Sequence, residues 1–151
     1  MSKMYEEKKH LAVLLLLVVA AVAVVQPCTS VPLPLPKWQI HVVNGLNNES
    51  LLVHCKSKDD DLGNHTLTAK GQEFHWTFKG NFFGTTLFWC YLQKLNFNVA
   101  FESFWVESTH PWLTSRCFDK NCIWIAKDDG IYLRNNPTNV DERVHPWNKM
   151  A

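Results

Sequence analysis

The sequence has almost no net charge and no cluster of basic residues. Its 15 Lys and Arg are offset by 14 Asp and Glu, which leaves a formal net charge of +1 over 151 residues. Domains that bind nucleic acid usually carry a clustered basic face, and here the basic residues are scattered along the chain. The composition therefore argues against nucleic acid and against an anionic membrane as partners. The length fits one domain.

The sequence also lacks the motifs that mark common catalytic and metal centres. It contains no G-x-S-x-G elbow, no H-E-x-x-H pair, and no C-x2-C or H-x3-H pair. The acidic run that begins at Asp59 does not fit a calcium loop, because Gly63, Asn64 and Lys70 stand at its fifth, sixth and twelfth positions. We therefore predict no catalytic residue, no cofactor and no bound metal.

Long apolar runs are absent except near the N-terminus. A short stretch with three lysines precedes an unbroken apolar segment of 15 residues, Leu11–Val25. That length is below the roughly 20 residues that a membrane-spanning helix needs, and it is typical of a signal peptide. We predict that residues 1–30 are a signal peptide cut after Ser30, with a cut after Ala23 as the alternative. An uncleaved signal anchor is the other interpretation of the segment.

Cysteine parity supports the cut after Ser30. It leaves four cysteines, Cys55, Cys90, Cys117 and Cys122, and an even number is the simpler state in an oxidising compartment. These four can pair in more than one way. A bond between Cys117 and Cys122 would enclose only four residues and constrain little. We therefore predict the pairs Cys55–Cys122 and Cys90–Cys117.

Short runs with period two follow a proline-rich lead-in at residues 31–37, which favours polyproline II. Alternation of apolar and polar residues predicts about eight strands, spaced as in a β-sandwich or barrel. Thr85–Leu92 is predicted as a strand buried on both faces, and Asp129-Gly130 suits a hairpin turn. Segments 56–64 and 107–121 are predicted loops. No helical stripe of useful length occurs after residue 30, so residues 38–151 are predicted to form one all-β domain.

Two N-glycosylation sequons occur in predicted loops. They are Asn48-Glu49-Ser50 and Asn64-His65-Thr66. Because a glycan needs an accessible acceptor in an exported chain, we predict glycosylation at Asn48 and Asn64.

Several motifs, in order, resemble those of the plant self-incompatibility protein family, the S-protein homologues. They are Val53–Gly63, Phe74–Phe78, Phe83–Cys90, Cys117 with Cys122-Ile123-Trp124, and Gly130-Ile131-Tyr132. The resemblance covers about residues 38–147. It implies a small secreted plant protein with a single antiparallel β-sandwich stapled by two disulfides. The best-understood members of this family are stigma-secreted ligands that meet a pollen membrane receptor.

The resemblance predicts an extracellular ligand, not an enzyme. Its expected partner is a plasma-membrane receptor on a responding plant cell, met by a monomer that does not insert into the membrane. Loops on a rigid sandwich often carry specificity, and Trp and Arg are frequent interface anchors. The candidate partner-binding residues therefore lie in the 107–121 loop: Glu107, His110, Trp112, Arg116, Asp119 and Lys120. The alternative is a secreted cell-wall or defence-related protein, for example a hydrolase, which would need a cleft with converging ionisable groups.

Overall fold

The computed structural model describes residues 2–22, 37–80, 84–105 and 111–151. The chain divides into two units, Met1–Leu33 and Pro34–Ala151. Helix α1 (Ser2–Val22) belongs to the first unit. Among the described helices, none is long and apolar enough to span a membrane. Both predicted cleavage positions and most of the proline-rich lead-in lie outside the described residues, so the signal peptide stays a prediction.

In the described part of the second unit, ten strands form two five-stranded sheets. A short helix and a 3₁₀ turn connect β6 to β7. The elements are β1 (Lys37–Asn44), β2 (Leu51–Lys56), β3 (Asp61–Leu67), β4 (Glu73–Lys79), β5 (Phe88–Lys94), β6 (Phe97–Phe104), α2 (Pro111–Arg116), the 3₁₀ turn (Phe118–Lys120), β7 (Asn121–Lys127), β8 (Gly130–Asn135), β9 (Val140–His145) and β10 (Asn148–Lys149). The strand orders are β4-β1-β7-β8-β9 and β10-β6-β5-β2-β3. The predicted all-β sandwich is confirmed.

One strand pair departs from the antiparallel expectation. β1 pairs with β7 in parallel, whereas it pairs with β4 in the antiparallel sense. A parallel pair needs a long crossover connection, and strands β2 to β6 lie between β1 and β7 in the sequence. Strands β2 to β6 together therefore form the crossover connection.

The core lies between the two sheets, and strand alternation fills it. On β1, Trp38, Ile40 and Val42 are buried while the residues between them are only partly covered. Trp124 on β7 is fully buried, and its indole Nε1 donates a hydrogen bond of 2.9 Å to the carbonyl oxygen of Ser103 on β6. This bond joins the two sheets and satisfies a polar atom that burial would otherwise leave unpaired.

The strand predicted over Thr85–Leu92 begins later and is buried on one face only. β5 starts at Phe88; Phe88, Cys90 and Leu92 are buried, whereas Trp89 remains 37% exposed. The outer face of this sheet is open, so apolar residues on it are only half covered. The prediction drawn from this apolar run therefore overestimated how deeply the strand is buried.

The polar segment predicted as a loop over 56–64 contains the start of a strand. β3 begins at Asp61 and pairs with β2, and it lies at the edge of its sheet. Its outward residues are polar because an edge strand needs few apolar side chains.

The predicted disulfide pairing is wrong. The structure joins Cys55 to Cys90 and Cys117 to Cys122. Cys55 and Cys90 are direct register partners on the antiparallel strands β2 and β5, with Cα atoms 4.0 Å apart. Cys122 lies on β7 in the other sheet, and its Cα is 4.4 Å from that of Cys117. Proximity in the fold, and not the size of the loop that a bond closes, decides which thiols can meet.

Candidate partner-binding surface

Four of the six predicted partner-binding residues lie on α2 and the 3₁₀ turn. Glu107 and His110 lie outside the described residues. Helix α2 begins at Pro111. Proline suits the first position of a helix, because the backbone N–H that it lacks would have no partner within the helix there. Leu113 is 1% exposed and anchors the helix to the core. The described part of the segment predicted as a loop, residues 111–121, is therefore a short helix followed by a tight turn.

Trp112 and Arg116 are engaged in contacts within the chain. The Trp112 ring stacks on Trp105 with centroids 6.0 Å apart, and the Arg116 guanidinium lies 4.7 Å from the Trp112 centroid. Arg116 also donates through Nε to Glu142 Oε2 at 2.5 Å. These contacts fix α2 against the sandwich, and both side chains remain partly exposed, so their role in partner binding stays a prediction.

Glu142 on β9 completes this support. It accepts a 2.8 Å hydrogen bond from Asn135 Nδ2 and the bond from Arg116. The hydrogen bond from Asn135, followed by that from Arg116, lowers the pKa of Glu142 below its ordinary value. The carboxylate therefore stays ionised at neutral pH and ties α2 to β8 and β9.

Phe118 is the large exposed apolar side chain of this segment, and sequence reasoning missed it. It is 66% exposed and directly follows Cys117, whose disulfide to Cys122 closes a loop of six residues, Cys117–Cys122. We call this segment the Phe118 loop. An aromatic residue enclosed with polar neighbours between two close cysteines was the signal available in the sequence.

Asp119 and Lys120 form the tip of the Phe118 loop. Both have left-handed backbone angles, with φ of 54° and 61°, which turn the chain sharply before β7. Asp119 is exposed, and the Lys120 Nζ lies 4.5 Å from the centroid of the Trp38 ring. The predicted candidates Asp119 and Lys120 thus form the turn that directly follows Phe118.

The turn between β8 and β9 lies beside the Phe118 loop. The backbone N–H of Asn136 donates to the carbonyl of Arg116 at 3.0 Å, and its side-chain Nδ2 donates to the carbonyl of Asn121 at 2.7 Å. Residues 137–139 of this turn are exposed. Loop and turn together form one surface, fixed by a disulfide and two hydrogen bonds, with an apolar centre and polar surroundings.

A hydrolase would need ionisable groups that converge in a cleft. One depression of about 480 Å³ is lined by Ser57, Asp59 and Asp60 together with Phe78 and Trp89. The Ser57 hydroxyl accepts hydrogen bonds from the backbone N–H groups of Asp59 and Asp60 at 3.3 and 3.0 Å. No imidazole is among the described residues that line this depression, and the Ser57 hydroxyl donates a hydrogen bond of 3.4 Å to the Asp60 carboxylate.

Comparison with known proteins agrees with this fold. The profile of the family described as plant self-incompatibility protein S1 matches residues 39–147. S-protein homolog 1 of Arabidopsis thaliana is 44% identical over 112 residues, which cover 74% of this chain and 72% of that protein. Self-incompatibility protein S1 of Papaver rhoeas is 34% identical over 99 residues, covering 64% and 68% of the two chains.

A solved structure has the same architecture. It is described as that of self-incompatibility protein homologues, a widespread family of small, highly stable, secreted proteins from plants. It matches with a TM-score of 0.57 and 22% identity, over 76% of this chain and 97% of its own. At that identity the likeness concerns the fold alone.

Proposed function

The chain belongs to the plant self-incompatibility protein S1 family, and from this premise we propose that it is a secreted ligand. It acts in cell–cell recognition, such as pollen–stigma signalling, by binding a plasma-membrane receptor on a responding plant cell as a monomer and without catalysis. The observation that carries the proposal is Phe118, which is 66% exposed on a covalently closed loop.

Export from the cell is part of the proposal. Residues 1–30 act as a signal peptide that is removed after Ser30, which delivers the chain to an oxidising compartment where disulfides form. N-glycans at Asn48 and Asn64 belong to the same route. Both acceptor residues are exposed. Asn48 lies in the turn after β1, whereas Asn64 lies on the edge strand β3 and not in the loop predicted for it.

The Phe118 loop suits protein recognition for energetic reasons. Binding requires flexible groups to become ordered, and a preorganised loop reduces this loss of entropy. The disulfide, the Arg116–Glu142 ion pair and the Asn136 hydrogen bonds already fix the segment before a partner arrives. A large aromatic side chain at the centre of a polar rim is the usual composition of an interface hot spot.

The experiment compares two exposed apolar side chains. Phe118→Ala removes the proposed contact, and Leu95→Ala is the matched control, because Leu95 is 70% exposed on the turn between β5 and β6. Binding of labelled protein to protoplasts of responding cells is measured together with thermal unfolding. We expect Phe118→Ala to weaken binding about tenfold or more. Both variants should keep their stability within about 0.5 kcal/mol, since surface substitutions rarely exceed that.

Two outcomes would count against the proposal in different ways. If Phe118→Ala binds as tightly as the unchanged protein, the Phe118 loop is not the contact surface. If the unchanged protein shows no saturable binding, and chemical crosslinking captures no membrane protein, the ligand function itself is wrong.

A further inference from the structure

Three metal-ligating side chains meet on the outer face of the β1–β4 pair. His41 and His75 are direct register partners across the two antiparallel strands. Glu73 precedes His75 by two positions, so it projects from the same face of β4. The opposite face carries the buried side chains of Ile40 and Trp76, which fixes the three polar side chains on the solvent side. The register of two rigid strands thus determines the cluster.

The atoms of the cluster are already close to coordination geometry. His41 Nδ1 lies 3.1 Å from Glu73 Oε2, and His75 Nδ1 lies 3.5 Å from Glu73 Oε1. One ligand atom from each of the three residues lies within 4.8 Å of the other two. Bonds of about 2.0–2.2 Å around a tetrahedral ion separate its ligands by roughly 3.3 Å. Small side-chain rotations would therefore bring all three onto one ion.

The donor set selects the kind of metal. Nε2 of His41 is buried, whereas its Nδ1 faces Glu73, so Nδ1 is the nitrogen that His41 offers to an ion. Two imidazoles with one carboxylate suit Zn²⁺, Cu²⁺ or Ni²⁺, whereas Ca²⁺ and Mg²⁺ prefer sites built from oxygen alone. We propose that His41, Glu73 and His75 bind one divalent transition-metal ion, with water in the remaining coordination positions.

The spacing rules of single-element motifs could not reveal this site. His41 and Glu73 are separated by 32 positions in the sequence, so no short motif contains both. The sequence prediction of no bound metal depended on pairs of ligands close together in one segment. The pairing of β1 with β4 brings together ligands that are far apart in the sequence.

Isothermal titration of the untagged chain that begins after Ser30, and so lacks His10 and Cys28, with ZnCl₂ tests the proposal. We expect one equivalent of Zn²⁺ to bind, and CaCl₂ and MgCl₂ to give no heat of binding. His75→Gln and Glu73→Gln should each reduce the Zn²⁺ affinity at least about tenfold, since loss of even an indirect supporting group can have that effect. The His75 side chain is 52% exposed, so this substitution leaves the core intact.

The matched control is His54→Gln. His54 pairs with Asp61 at 2.7 Å on the other sheet but belongs to no three-ligand group among the described residues; its loss should change Zn²⁺ affinity less than twofold. As a second measurement, paramagnetic Cu²⁺ should broaden the imidazole NMR signals of His41 and His75 first, and that of His54 later. The proposal is overturned if the unchanged protein takes up no Zn²⁺, or if His75→Gln and Glu73→Gln bind it as the unchanged protein does.

Discussion

The two disulfides should differ in how much they stabilise the fold. Cys55 and Cys90 are 35 positions apart, whereas Cys117 and Cys122 are 5 apart. In the chain-entropy model, closing the longer loop stabilises the native state by about 4 kcal/mol and closing the shorter one by about 2 kcal/mol. All four disulfide-bonded cysteines are at most 2% exposed. Replacing either pair with Ala therefore removes similar packing. The expected difference of about 2 kcal/mol in the free energy of unfolding comes from the different lengths of the two closed loops.

Urea unfolding under non-reducing conditions measures this difference. The double variant Cys55→Ala with Cys90→Ala should lose the larger free energy of unfolding, and Cys117→Ala with Cys122→Ala the smaller. The variants are made in the chain that begins after Ser30, which lacks Cys28, so the remaining two cysteines have only one another as a partner and no mispaired monomer can form. An equal loss, or a larger loss from the short loop, would refute the reasoning. The short-loop variant should nevertheless lose more binding to responding cells, because Phe118 is no longer presented by a closed loop.

Two further predictions concern the packing of α2 and the loss of stability at acid pH. Trp112→Ala should lower the free energy of unfolding by about 2–4 kcal/mol, because it removes the stack on Trp105 and half-buried apolar area; a loss below about 0.5 kcal/mol in urea unfolding would contradict this. Burial raises the pKa of Asp141, but hydrogen-bonded ion pairs with Arg134 and Lys127 outweigh it and hold that pKa below its ordinary value. Stability from this group is therefore present above the unfolded pKa near 3.8 and lost as pH falls through the lower folded pKa. Between pH 5 and pH 2 (approximate limits), thermal unfolding of Asp141→Asn should depend less steeply on pH than that of the unchanged protein, and parallel curves would argue against the ion pairs.

The sequence determined the class of fold and much of the core. Alternation at Trp38, Ile40 and Val42 predicted a half-buried strand, and all three residues are buried on β1. Asp129-Gly130 predicted the turn that joins β7 to β8. These predictions succeeded because the pleat of a strand and the geometry of a tight turn depend on residues close together in the chain.

Weakly patterned elements escaped the sequence analysis. β9 (Val140–His145) is an edge strand whose residues are all exposed or only partly buried. With no buried face it has no strong alternation of apolar and polar residues to detect. Helix α2 has only six residues, too few to show a helical stripe.

Contacts between distant segments were decided by the tertiary structure alone. The register of β2 against β5 brings Cys55 to Cys90, and the register of β1 against β4 brings His41 to His75. The packing of α2 turns Trp112 onto Trp105 and leaves Phe118 exposed. Composition and spacing carry no information on which strands become neighbours or how far one is shifted along the other. The candidate binding surface and the proposed metal site both depend on that register and packing.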